Sequence, residues 1–390
     1  MRLEGMPLEL RAHPAESQTN RQFASHALGS LDVVYLPRPV SQLLPEPPVR
    51  VEQFIEDDNR GAILPDPIAT LDGQAFYLSV KGIGSATDPY SWRPLDRWYG
   101  AELTPEPDVQ RTLRSEPPSR SDRLITGELW LRGSPYGGQG LEHAATALGV
   151  SARADLTSLH GFLIAPVVKV CFLPRSLEAH LRELYWYRRF SGRMVQELRL
   201  VPSNLRVYFH AKNTLGTNVR HVFDRFSVDS DRRATAFETN FLRSTVSMLT
   251  LFARTMEAGP TPGTFRGLDF YDVWLDKDAV LAPNGSVYFV DLEGIESVVV
   301  PRESVREKLE DQVYRSLYEM TFGYEQIEGE RQRRFGQSAD RKQRFETLLR
   351  AALRDDPFVR LRRAGSRLDF VVRNKGEEEA LYLTFPAVES

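Results

Sequence analysis

The dipeptide Asn284-Gly285 constrains this chain more than any other feature. It lies between two short apolar runs, Ala279 to Leu281 and Val287 to Val290. Asn-Gly is the favoured central pair of a two-residue type I′ turn, so the segment predicts a β-hairpin. With that loop Pro283 faces Ser286 and, counting outward, Asp278 faces Asp291. Residues directly opposite in a hairpin share a face, with Cβ atoms roughly 4.5–5.5 Å apart. Two carboxylates so placed repel unless something neutralises them. A divalent cation would do so, and hard oxygen ligands suit Mg²⁺ or Mn²⁺. The second strand leaves through Leu292-Glu293-Gly294, where Glu293 could supply a third oxygen. The plainer alternative is a surface hairpin with solvated acids at its base.

The rest of the composition narrows the setting. Of 390 residues, 41% are apolar and 26% charged, enough for a sizeable core and two or three domains. The 50 basic and 53 acidic side chains nearly cancel, which argues against a nucleic-acid partner. The single cysteine, Cys171, excludes an internal disulfide and a cysteine zinc cage, and fits a reducing compartment. No apolar run approaches the roughly 20 residues that span a bilayer. Met1 to Pro14 carries Arg2, Glu4, Glu9 and Arg11 and has no apolar core of a secretory signal. A cytoplasmic setting without a membrane partner is expected.

Three regions follow from texture. Residues 1–48 read as a proline-rich N-terminal arm, with five prolines between Leu36 and Pro48. Residues 49–209 are strand-rich, the strongest strand being Phe76 to Val80, ended by Lys81-Gly82. Val167 to Phe172, Met194 to Val201 and Leu205 to Phe209 are further strands, and polar, proline-rich sequence marks an insertion near 84–126. A short helix is expected over Leu141 to Leu148, and another after Ser176. Residues 210–390 are mainly helical. Apolar positions recur at three and four residues over about Ala234 to Met256, Glu303 to Phe322 and Gln343 to Arg354, before a terminal hairpin. Strands followed by helices predict an α+β protein.

The hairpin resembles that of the protein-kinase-like superfamily, atypical bacterial kinases and pseudokinases included. That family places a catalytic-loop Asp, an Asn five residues later, a hairpin, then Asp-Phe-Gly. Asp278 falls at the Asn position, and Asp291-Leu292-Glu293-Gly294 looks like a variant of the triplet with one residue added. The resemblance implies a two-lobed kinase-like fold, with an antiparallel-sheet N-lobe over 49–209 and a mainly helical C-lobe over 210–390. It implies ATP and Mg²⁺ or Mn²⁺ as cofactors, with Asp278, Asp291 and Glu293 on the metal. Lys81, ending its strand like the lysine of Val-Ala-Ile-Lys, would hold phosphates, and Glu142 on the following helix would pair with it. Val273 stands five residues before Asp278, so Asp272 becomes the catalytic base only with a one-residue loop expansion; Asp276 and Asp269 are the other acids nearby.

Departures from the pattern keep other functions open. There is no His-Arg-Asp, and Glu56 to Gly61, where a phosphate loop belongs, holds one glycine and three acids. Lys81-Gly82-Ile83-Gly84 with Pro89-Tyr90 also resembles selenoprotein-O-type AMP transferases. The expectation is thus a phosphotransferase, moving a phosphoryl or nucleotidyl group to a protein or small-molecule acceptor that the sequence does not identify. A catalytically inactive kinase-like nucleotide-binding or interaction module is one alternative. A metal-dependent hydrolase on another fold is a second. The stretch Arg331 to Arg344, with Glu325, Glu328 and Glu330 before it, reads as a charged surface loop.

Overall fold

A computed structural model describes residues 33–35, 55–57, 59–63, 66–71, 73–86, 139–155, 157–172, 194–203, 205–206, 219–270, 275, 278–336, 340–364, 367–374 and 377–383. Most of the expected arm and insertion, the helix after Ser176, Asp272 and Asp276 lie outside the described residues, as does the side chain of Glu142. The fold is α+β, with helices and antiparallel sheets. The chain divides into two compact units. One comprises residues 1–156, 165–204 and 213–216; the other comprises 157–164, 205–212 and 217–390.

The first unit is built on one antiparallel sheet. Its strands are β1 (Val33–Tyr35), β2 (Ile55–Asp57), β3 (Asn59–Ile63), β4 (Ala69–Leu71), β5 (Gln74–Ala86) and β6 (Gln139–Gly140), joined by β9 (Val167–Phe172) and β10 (Met194–Val201). The order is β1-β9-β10-β5-β3-β2, with β4 on β5 and β6 on β10. Val33–Tyr35, inside the expected arm, is thus a sheet strand. Helix α1 (Leu141–Arg153) packs on β9 and β10 through Ala144, Ala147, Leu148 and Val150, all buried. Ser151 ties it down: its hydroxyl donates to the Ala147 carbonyl and accepts from the Val167 amide (2.8 and 2.9 Å).

The second unit opens with a minimal hairpin, β7 (Ser158–Leu159) and β8 (Phe162–Leu163), turning through His160 and Gly161 at positive φ. Helix α2 (Val219–Arg225) precedes α3 (Asp231–Thr245), which Ser230 caps by accepting from the Arg233 amide. The helix expected through Met256 does not continue in one piece. A 3₁₀ stretch, Val246–Thr250, separates α3 from α4 (Leu251–Thr255). The cause is local: Ser244 and Thr245 hydroxyls bond back to the carbonyls of Asn240, Phe241 and Leu242, which loosens the helical ladder. Helix α5 (Val305–Phe335) stitches the break. Ser316 donates to the Met248 carbonyl, and Gln312 accepts from the Phe252 amide.

Strand β12 (Thr264–Phe270) pairs with β11 (Glu257–Ala258) on one side and β15 (Ile295–Pro301) on the other. Between them in sequence lies the hairpin of β13 (Ala279–Leu281) and β14 (Val287–Phe289). Helix α6 (Arg341–Ala352) and the sheet β16 (Val359–Ala364), β17 (Arg367–Asn374) and β18 (Glu377–Leu383) complete the unit. Its core is aromatic: Phe162 stacks on Phe289 at 4.4 Å between ring centroids and tilts against Phe270 at 5.1 Å.

Two sequence expectations change here. Helix α5 runs to Phe335 rather than Phe322, because Tyr324 and Ile327 carry the buried face onward until Gly336 ends it in the left-handed region. The basic stretch from Arg331 is not a surface loop. Arg331 is 1% exposed and bonds Glu238 (2.9 Å) and Asp231 (2.5 Å), both on α3. Arg341 and Arg344 open α6, and their partners are Glu328 and Glu238, both fully buried. Arg331 is thus neutralised inside the packing of α3 and α5, whereas Arg333 and Arg341 remain about half exposed and pair with Glu330 and Glu328 from the surface.

Candidate functional site

The hairpin forms where the sequence predicts it, with a different loop. Ala279 faces Phe289, Val280 faces Tyr288 and Leu281 faces Val287. The Ala282 amide donates to the Ser286 carbonyl and the Gly285 amide donates back to Ala282, which encloses three loop residues rather than two. Gly285 has φ +94°, whereas Asn284 stays out of the positive-φ region that a type I′ turn demands of it. Asn284 instead accepts from the Ser286 amide through its side chain. A three-residue loop closed by a left-handed glycine is the next commonest hairpin solution. The glycine is required twice over, since a Cβ there would meet the Phe237 carbonyl oxygen at 2.4 Å.

The new loop shifts the register by one. Asp278 faces Val290, whose amide donates to the Asp278 carbonyl (2.8 Å), and not Asp291 as expected. Asp291 stands one residue beyond that pair, with φ −96° and ψ 75°, at the entry to the 3₁₀ turn Leu292–Gly294. The two acids therefore share the open end of the hairpin without being cross-strand partners. Asp278 is buried, Asp291 is 25% exposed, and Glu293 is half-buried. Arg206 brings a guanidinium within 3.7 Å of the Asp291 carboxylate. It is placed there by its bridge to Val280 and by the Leu281 amide donating to the Leu205 carbonyl. Sequence reasoning took Leu205 to Phe209 as a strand and gave Arg206 no role. Among the described residues no group of three His, Cys, Asp or Glu side chains lies at metal-binding range, so Asp278, Asp291 and Glu293 are not assembled as a set of three.

The hairpin is anchored on α3. Asn240 donates to the Asn284 carbonyl (2.9 Å), and the Val287 amide donates to the Ser244 hydroxyl (2.9 Å). Asp269, one of the acids considered for the base, is committed elsewhere. It is buried on β12 and ion-paired to Lys308, with Gln312 at 2.8 Å and Arg315 at 3.4 Å. It joins β12 to α5.

In the first unit, Lys81 lies on β5 and is buried. Directly opposite it are Gly61 on β3 and Glu197 on β10. Two residues along, Arg199 faces Ser79 and donates its Nε to Glu197 Oε2 at 2.9 Å. Glu142, the partner expected for Lys81, lies at the start of α1. Glu197 and Arg199 were missed because Met194 to Val201 reads as a strand on its apolar residues alone. The signal was present: two charges at spacing two, within a run otherwise apolar enough to be buried on both faces.

No protein-family model, curated protein or solved structure matches this chain.

Proposed function

We propose that this chain is a kinase-like transferase, two-lobed in architecture, that uses ATP with Mg²⁺ or Mn²⁺ to move a phosphoryl or nucleotidyl group. The observation that carries the reading is the hairpin with Asp278 and Asp291 at its open end, fastened to a long preceding helix. The donor set fits the metal in kind, because carboxylate oxygens are the ligands that Mg²⁺ and Mn²⁺ prefer. Asp278 and Asp291 would hold it, and Glu293 lies two residues on. Once bound, the cation would neutralise charge on the phosphates. Lys81 would contact phosphate oxygens, and Asp272 would accept the proton of the attacking hydroxyl.

Calorimetric titration of the full chain with ATP and Mn²⁺ tests this. Wild type should bind, while Asp291→Ala and Lys81→Ala should each lose most of the affinity. Asp272→Ala should bind normally and reduce turnover alone. No binding by wild type, or equal binding by all variants, would refute the proposal.

A second reading, an inactive module of the same fold, draws support from β2 and β3. Asp57 pairs with Gly61, and the sequence between them, Asp58-Asn59-Arg60, holds no glycine with which a backbone could cradle phosphate. On that reading Asp272→Ala changes nothing measurable.

A further inference from the structure

Strand β15 is the edge of its sheet. Among the described residues its only strand partner is β12, whose other side is taken by β11. One bond just beyond the strand tells which way its backbone groups point. The Arg302 amide donates to the Gly263 carbonyl (2.9 Å), which continues the register of Thr264 with Pro301 and makes 263 and 302 a hydrogen-bonded pair. Such pairs alternate along an antiparallel ladder, so Val300, Val298 and Glu296 bond to β12, and Pro301, Val299 and Ser297 do not. Strand β12 agrees. The Gly259 amide donates to the Thr264 carbonyl, so Thr264 and Arg266, opposite Pro301 and Val299, turn toward β11. The outer edge of β15 therefore presents the N–H and C=O of Ser297 and Val299 and the C=O of Pro301. The proline stands where its own sheet needs no donor.

An edge of this kind is a template for another strand. The opposite edge of the sheet is blunted, because β11 has only two residues, whereas β15 has seven. The side chains of β15 are also complementary to themselves. Val299 is 47% exposed. Glu296 lies three residues before it and Arg302 three residues after it, both exposed and neither in an ion pair among the described residues. We propose that β15 docks on β15 of a second copy of this chain, antiparallel about a two-fold axis at Val299. In that register Val299 exchanges both its hydrogen bonds with Val299 of the second copy, and the Ser297 amide donates to the Pro301 carbonyl across the axis. Val298 meets Val300, and Glu296 meets Arg302 at both ends. Charge selects this register. An axis at Val298 also aligns the bonding groups, but it sets Glu296 against Val300. A strand pair of this length buries less than a permanent interface, so the association is reversible. Neither the hairpin acids nor Lys81 takes part, and the pairing stands apart from the transferase reading.

Sedimentation velocity of the full chain, across a series of micromolar concentrations, tests the pairing. Wild type should pass from monomer to dimer. Glu296→Arg and Arg302→Glu each oppose like charges at both ends and should weaken dimerisation about tenfold or more. Mixed in equal amounts, the two variants should dimerise as wild type does, because each supplies the charge that the other lacks; a contact that does not oppose 296 to 302 gives no such rescue. Val299→Lys, at an exposed position, should abolish the dimer and leave the melting temperature nearly unchanged. Wild type that stays monomeric throughout overturns the proposal and leaves the edge to a strand of another protein or to none. Equal dimerisation by all variants, or no rescue on mixing, overturns it as well. Should either charge variant fail to fold, Val299→Lys decides alone: a dimer that survives it overturns the proposal.

Discussion

Arg206 and Asp291 pose the sharpest question at the scale of single residues. A guanidinium 3.7 Å from a partly exposed carboxylate offsets its charge, and a cation seeking the same oxygens must compete with it. On the proposed function, Arg206→Gln should therefore tighten Mn²⁺ binding several-fold, measured by calorimetry on the full chain. Unchanged affinity would mean that Asp291 does not ligate the metal. Asp269 shows how the same residue type is read differently once its neighbours are known. In the sequence it is one acid among four in the loop region, whereas in the fold Lys308, Gln312 and Arg315 occupy it. Nothing local in the sequence separates the two, because the partners lie about forty residues downstream.

Among the elements, the break between α3 and α4 depends most on another element. The Phe252 amide is buried and is satisfied by Gln312, which also donates to Asp269. Gln312→Ala would leave a buried donor without its acceptor, at about 1–3 kcal/mol, and chemical denaturation should show a loss of that size. A loss below about 0.5 kcal/mol would mean that the surroundings relax to satisfy the amide. Periodicity locates both helices here but misses the break, since apolar positions recur alike through an α-helix and a short 3₁₀ stretch. Strands β5, β9, β10 and β14 were legible because their apolar residues are bounded by turn signals. The hairpin loop was legible in place but not in length. Asn-Gly serves both two- and three-residue loops, and the choice was made by the docking of Gly285 against Phe237. That one-residue difference is why the expected facing of Asp278 and Asp291 does not occur.

For the whole molecule, the buried charges of α3, α5 and α6 set how stability responds to pH. Burial pushes the Glu238 carboxyl above its ordinary range, against the lowering effect of Arg344 and Arg331. Burial also holds the Tyr324 phenol protonated far above its usual range, helped by the charges of Glu238 and Glu328. A carboxyl whose folded value is raised contributes stability fully below its unfolded value, near pH 4.3. That contribution is lost as pH rises through the folded value. Glu238→Gln removes the titration while keeping an acceptor for the arginines. The melting temperature of wild type relative to Glu238→Gln should thus be highest near pH 4 and fall as pH rises toward neutrality. A difference that is flat, or grows with pH, would show that the arginines outweigh burial. This network escaped sequence reasoning because charged runs are usually solvated, and only the packing reveals that Arg331, Glu238 and Glu328 are buried within one.

The little β7–β8 hairpin limits how this molecule can be cut. Residues 157–164 belong to the second unit, although the chain on either side of them, to residue 156 and from 165, belongs to the first. Phe162, fully buried, lies against Phe289 and Phe270, and Ile164 bridges to Phe289. A fragment begun at Leu205 would keep the acid-bearing hairpin and every later helix, yet leave an aromatic-sized hole beneath β14. Losing a buried phenylalanine alone costs about 3–5 kcal/mol, a large share of what holds a domain together. The hairpin proposed to bind metal therefore draws part of its floor from sequence more than a hundred residues upstream. A recombinant piece that retains this floor must start at or before Thr157, and so carries β9 and β10 of the other unit with it.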